Sequence, residues 1–104
     1  MDLEIVNGYT PGSIGRVAEL HGTYYSRHAG FGLYFEAKMA AELAGFLGRF
    51  DVERDGFWTV SHSGRIEGSI AIDGLLGHDT GAVLRWFIVS DELRGTGLGT
   101  RLLL

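Results

Sequence analysis

The stretch that decides the fold begins at Ala82: Ala82-Val83-Leu84-Arg85-Trp86-Phe87-Ile88-Val89, then Ser90-Asp91-Glu92-Leu93, then Arg94-Gly95-Thr96-Gly97-Leu98-Gly99-Thr100, then Arg101-Leu102-Leu103-Leu104. Residues 82–89 are apolar except for Arg85, which predicts a strand buried on both faces. Leu98, Leu102 and Leu103 have the spacing of an amphipathic helix that starts there. Between the two lies a glycine-rich turn, a layout that suits an anion. Glycine admits positive φ and close approach of the backbone to a ligand. Successive N–H groups then point inward, and the helix N-terminus adds about half a positive charge. Arg94 and Arg101 bring cations to the same place. Of the phosphate-binding patterns, G-x-x-x-x-G-K-[ST] fails because no lysine lies in the turn. G-x-G-x-x-G fails because its third glycine, counted from Gly95, falls on Thr100. R-x-x-G-x-G is satisfied by Arg94, Gly97 and Gly99, with a tight turn that holds no ligand as the competing reading.

Working outward, residues 3–6 alternate as a short strand, ended by Asn7-Gly8 and Thr10-Pro11-Gly12. Ser13 is placed to cap a helix running to about His28, with Ile14, Val17, Leu20 or His21, Tyr24 and His28 on one stripe. Gly30 and Gly32 mark its stop. A second helix is predicted over 33–49, where Phe35, Met39, Leu43, Phe46, Leu47 and Phe50 form an apolar stripe. Residues 57–62 and 65–73 read as strands joined at Ser63-Gly64, a hairpin dipeptide. In the second of these, Ile66, Gly68, Ile70 and Ile72 share one face; Glu67, Ser69, Ala71 and Asp73 share the other. A polar, glycine-bearing loop, 74–81, leads to the strand quoted above.

Set behind that order of elements, the Arg94, Gly97, Gly99 turn resembles the GNAT acetyltransferase superfamily, whose acetyl-CoA motif is [Q/R]-x-x-G-x-[G/A] between the fourth strand and the third long helix. Ala18-Glu19-Leu20-His21-Gly22-Thr23-Tyr24-Tyr25, Phe35-Glu36-Ala37 and Leu84-Arg85-Trp86-Phe87-Ile88-Val89 resemble the GNAT domains found fused to MarR-like regulators. The likeness covers essentially the whole chain but only the first half to two-thirds of the family's domain. It implies an α+β fold, β-α-α-β-β-β-α, with a mostly antiparallel central sheet flanked by helices. It also implies that residues 1–104 form a single truncated domain lacking the C-terminal half of that fold. The implied activity is an N-acetyltransferase that moves acetyl from acetyl-CoA to a small-molecule or peptide amine, without a metal.

By the same resemblance, the backbone of Phe87, Ile88 and Val89 bonds the pantetheine arm. Arg94, Gly95, Thr96, Gly97, Leu98, Gly99 and Thr100 wrap the pyrophosphate, and a backbone N–H near Val89 faces the thioester carbonyl. A primary amine of pKa about 10.4 is roughly 0.04% neutral at pH 7, so a base or a water relay must take its proton. Some family members carry a glutamate early in the fourth strand, and residues 82–89 hold no acid. Glu67 is the expected substitute, with Asp73 and Glu36 behind it. Tyr24, Tyr25 and His28 are candidates for lining the acceptor site, with plain packing the competing reading. Trp58 and Trp86 are expected in the core. The family's fifth strand is not in this chain, which predicts an unpaired apolar edge on strand 82–89. A homo-oligomer through that edge is expected. The alternative to an enzyme is an incomplete, non-catalytic module that binds CoA or only self-associates.

Composition removes other classes. A chain of 104 residues with 45% hydrophobic and 21% charged residues suits one packed domain. Glycine reaches 17 residues against an average of about 7%, but without a three-residue period and with one proline, so collagen is excluded. No cysteine is present, which excludes disulfides, thiolate zinc sites and thiol nucleophiles. The histidines lack H-E-x-x-H spacing, so no metal site is expected. A net charge of -4 argues against nucleic acid and suits a cationic or amine-bearing partner. No apolar run reaches the roughly 18 residues of a membrane span, and the acidic start lacks a signal-peptide layout. No membrane partner and a cytoplasmic location are expected.

Overall fold

The computed structural model describes residues 3–74, 83–91 and 93. The glycine-rich turn and the helix start expected over 94–104, and most of the expected loop before the last strand, lie outside the described residues. The described elements run β1 (Leu3–Asn7), α1 (Ser13–Ala29), α2 (Leu33–Gly48), β2 (Gly56–His62), β3 (Arg65–Asp73) and β4 (Val83–Val89). This is the α+β order that the sequence predicts. The strands form one sheet in the order β1-β2-β3-β4, with every neighbouring pair antiparallel.

The ends of α1 show which groups set its limits. Ser13 is not the cap. Gly12 takes that place, and the Ser13 N–H bonds to Thr10 O at 3.0 Å, so a backbone turn starts the helix and leaves Ser13 Oγ buried without a partner among the described residues. At the other end Gly30 sits at φ 72, a left-handed position that glycine takes without steric cost. The Phe31 N–H then closes back onto Tyr25 O at 3.2 Å, and the two rings stack with centroids 6.1 Å apart. The connection from α1 to α2 is thereby short and aromatic. α2 buries Met39, Leu43 and Phe46 at helical spacing, and it stops one residue short of the predicted Arg49. Phe50 falls outside the helix and still packs edge-on against Phe46, 5.6 Å away.

Between β2 and β3, Ser63 (φ 54) and Gly64 (φ 81) both take positive φ, the turn that matches the twist of a two-residue hairpin. The helices lie on the sheet face that carries Phe57 and Ala71, which join Val17, Ala18, Met39, Leu43 and Phe46 in the main core. Ala71 shares its face of β3 with Glu67, Ser69 and Asp73, so the polar face of that strand is the one buried under the helices. Each polar group there has a partner. Arg16 from α1 bonds Glu67 at 2.5 Å. The Asp73 carboxylate takes both Arg49 guanidinium nitrogens, at 3.3 and 2.7 Å, and Arg85 at 3.3 Å. On the other face Val60, Val89 and Leu93 form a smaller cluster.

Two expectations are corrected here. β4 is not buried on both faces along its length: Val83 and Leu84 are 38% and 45% exposed, and burial begins at Ile88. As the last strand in the described sheet order it has a neighbour on one side, and the cover reaches only its second half. Trp58 and Trp86 are half-buried rather than core residues.

Replacing Leu43, which has no exposed surface, by Ala is expected to cost about 2–5 kcal/mol, read by urea denaturation. Asp55 gives a second test. Its carboxylate accepts bonds from Arg54, from the Gly74 N–H and from the Asp51 N–H. These partners, Arg54 first, lower its pKa from 3.8 to about 2 against the opposing effect of burial. That contribution is present above pH 3.8 and is lost as the pH falls through about 2. Asp55→Asn should flatten that limb of an acid-unfolding curve.

Candidate active site

The site grows out of an irregularity in β4. Ser69 stands opposite Ile88 and Ala71 opposite Arg85, so two residues, Trp86 and Phe87, face Ile70 alone. This is a β-bulge, and Trp86 meets it with φ 49. A left-handed backbone at a bulky residue costs about 1–2 kcal/mol, so its surroundings must hold it. They do so from three directions. Ser69 Oγ donates to Trp86 O at 2.7 Å. The Arg85 guanidinium lies over the indole, 4.0 Å from its centroid, and Phe46 packs against it at 5.3 Å. Arg85 is itself tied to Asp73 and, at 3.2 Å, to Glu42 of α2, which explains the one charge in an otherwise apolar strand.

Two clefts open where α1 passes β4. The first, of about 180 Å³, is walled by Arg16, Leu20, Thr23, Tyr24 and Arg27 of α1, Arg65 and Glu67 of β3, and residues 88–91. Its charges are largely paired: Arg16 with Glu67 and Glu19, Arg27 with Asp91 at 2.9 Å. Ser90 Oγ, in the same wall, is buried without a partner among the described residues. The second cleft, of about 360 Å³, is lined by His21 and Tyr25 of α1, by Phe35, Lys38, Met39 and Glu42 of α2, and by Trp86 and Phe87 of the bulge. Its walls are mostly aromatic, with one carboxylate and one ammonium.

The expected site residues divide between these places. Phe87 lines the second cleft, and Ile88 and Val89 line the first. Glu67 also lines the first, nine-tenths buried with its Oε1 on Arg16. Asp73 has no exposed surface and is held by Arg49 and Arg85. Glu36 is exposed and packs beside Gly22, on a shallow third cleft. Tyr25 faces the aromatic cleft and Tyr24 the charged one, while His28 is exposed and rests against Tyr24 at 4.4 Å. Arg94, Gly95, Thr96, Gly97, Leu98, Gly99 and Thr100 lie outside the described residues. His21, read from sequence as a position on a helix stripe and part of the 18–25 likeness but not as an acceptor-site residue, also lines the second cleft. The signal was its place: it follows Val17 by one turn on the face that meets the sheet. Among the described residues no group of three or more His, Asp or Glu side chains could hold a metal ion, and no helix is long and apolar enough to cross a membrane.

No protein-family model matches the sequence, and no curated protein matches it. Solved structures do. An acetyltransferase of the GNAT family from Staphylococcus aureus Mu50 superposes over 98% of this chain at a TM-score of 0.71 and 14% identity. An acetyltransferase from Streptococcus agalactiae superposes over 97% at 0.68 and 21% identity. The fold is that of the GNAT acetyltransferases. A third GNAT-fold match, a predicted acetyltransferase from Clostridium acetobutylicum crystallised with acetyl-CoA, covers 98% of this chain at a TM-score of 0.67 and 14% identity. The chain spans 62%, 61% and 69% of those three proteins.

The bulge supplies a prediction. Ser69→Ala leaves the Trp86 carbonyl without its donor and should destabilise the fold by about 1–3 kcal/mol. Tryptophan fluorescence followed through denaturation measures that cost.

Proposed function

We propose that this chain forms the acetyl-CoA side of an N-acetyltransferase that moves an acetyl group from acetyl-CoA to an amine. The observation that carries the reading is the bulged edge strand β4, with an aromatic cleft beside it and the Arg94, Gly97, Gly99 pattern a few residues further on. No strand among the described residues covers the outer edge of β4. An extended pantetheine arm can therefore bond to the backbone of Phe87, Ile88 and Val89 as an added strand would. The Ser90 hydroxyl, without a partner among the described residues, fits the same reading, since a buried hydroxyl wants a polar guest. Residues 94–100 then take the pyrophosphate on their N–H groups, with Arg94 as counter-charge.

The acceptor amine belongs in the second cleft. Tyr25, Phe35, Met39 and Trp86 suit the apolar or aromatic body of an amine. Glu67 is poorly suited to take the proton of that amine, because its carboxylate is already committed to Arg16.

A thermal-shift titration tests the ligand class. Acetyl-CoA is expected to raise Tm, by an amount equivalent to about 2.7 kcal/mol at a hundredfold excess over Kd, with dephospho-CoA weaker and NAD inert. Thiol release with aromatic primary amines should follow, and Gly97→Trp or Gly99→Trp should abolish both. No shift with acetyl-CoA would end this reading.

A second reading, a self-associating module in a cytoplasmic protein, draws on the exposed edge at Val83 and Leu84. Light scattering tests it: the mass should rise with concentration, and Leu84→Lys should hold the chain monomeric.

A further inference from the structure

We propose that His21 is the general base of the transfer, taking the proton from the attacking amine in the aromatic cleft. This rests on the acetyl-transfer reading and adds a catalytic residue to it. The argument starts at the other ring nitrogen. His21 Nδ1 lies 2.8 Å from Val17 O, one turn back on α1. A carbonyl oxygen has no proton to give, so Nδ1 carries the N–H and donates it. The lone pair of the neutral ring is then on Nε2, the nitrogen farther from the helix backbone. The ring lines the cleft, and Nε2 has no hydrogen-bond partner among the described residues. The side chain is buried, with 5% of its surface exposed, which fixes the ring's direction.

The surrounding charges leave this nitrogen the work. On α1, Tyr25 faces the same cleft; on α2, Lys38 and Glu42 do; β4 contributes Trp86 and Phe87, which do not titrate. Glu42 is paired with Arg85, and Glu67 and Asp73 are both held by arginines elsewhere. Burial lowers the His21 pKa from its ordinary value, and the Val17 carbonyl opposes this only in part. The ring is therefore neutral at pH 7, the form a base requires.

The step balances as follows. An alkylammonium sheds one proton to solvent as it enters the aromatic cleft, where its charged form is disfavoured. The neutral nitrogen attacks the thioester carbonyl carbon and forms the C–N bond. His21 Nε2 takes the second proton from that nitrogen. The C–S bond breaks with its electron pair on sulfur, and the thiolate receives the proton from His21. Amide, thiol and one solvent proton result.

The test uses His21→Gln and His21→Asn, with 2-phenylethylamine as the amine probe. Both variants should keep the acetyl-CoA thermal shift while thiol release falls about a hundredfold or more, and the acidic limb of the wild-type rate profile should vanish. Imidazole nitrogen NMR on the wild-type protein reads the site without turnover. It should show a neutral ring with the proton on Nδ1 at pH 7, and an Nε2 resonance that moves when the amine is added. Variants with rates within threefold of wild type overturn the proposal. So do a proton on Nε2, or an Nε2 signal indifferent to the amine, even if wild-type protein turns over. If acetyl-CoA gives no shift and wild type releases no thiol, the acetyl-transfer reading fails instead, and the NMR result alone decides whether His21 meets an amine.

Discussion

Burying the polar face of β3 is the constraint that organises this molecule. Glu67, Ser69 and Asp73 point into the layer between sheet and helices, where an unpaired carboxylate would be far costlier than an exposed one. Each therefore recruits a partner from a different element: Arg16 from α1, the Trp86 carbonyl from β4, and Arg49 and Arg85 from the end of α2 and from β4. Those links fix how α1, α2 and β4 sit against the sheet. The apolar core of Val17, Leu43, Phe46 and Phe57 supplies cohesion without that directional control.

The bulge follows from the same constraint. Arg85 must reach Asp73 and Glu42, and Ile88 must fill space under α1, yet the two lie on either side of an extra residue. Trp86 absorbs the difference by turning its backbone left-handed, with Ser69 holding its carbonyl. The ladder opens there, and the aromatic cleft lies beside the opening. Fold and site thus share one cause.

Much of this was legible in the sequence. Ser63-Gly64 announced the hairpin because few dipeptides accept two positive φ values, and the Met39, Leu43, Phe46 spacing announced the buried side of α2. The alternation along β3 was legible too, but not which face turns inward. That depends on partners such as Arg16, 51 residues from Glu67. The bulge left no mark, since the left-handed position holds a tryptophan where a glycine would have signalled it. His21 and His28 share one helical stripe and read alike. The difference is that α1 ends one residue after His28, so His28 is exposed while His21 lies where the helix meets the sheet.

The bulge has one more consequence, optical rather than chemical. The two indoles sit in different surroundings: Trp86 is sandwiched between a guanidinium and Phe46 at the cleft wall, while Trp58 projects from β2 over Gly56. Emission from Trp86 senses what fills the cleft, and emission from Trp58 does not. With Trp58 replaced by Phe, the protein would carry its own single-site reporter of occupancy, already in place beside His21.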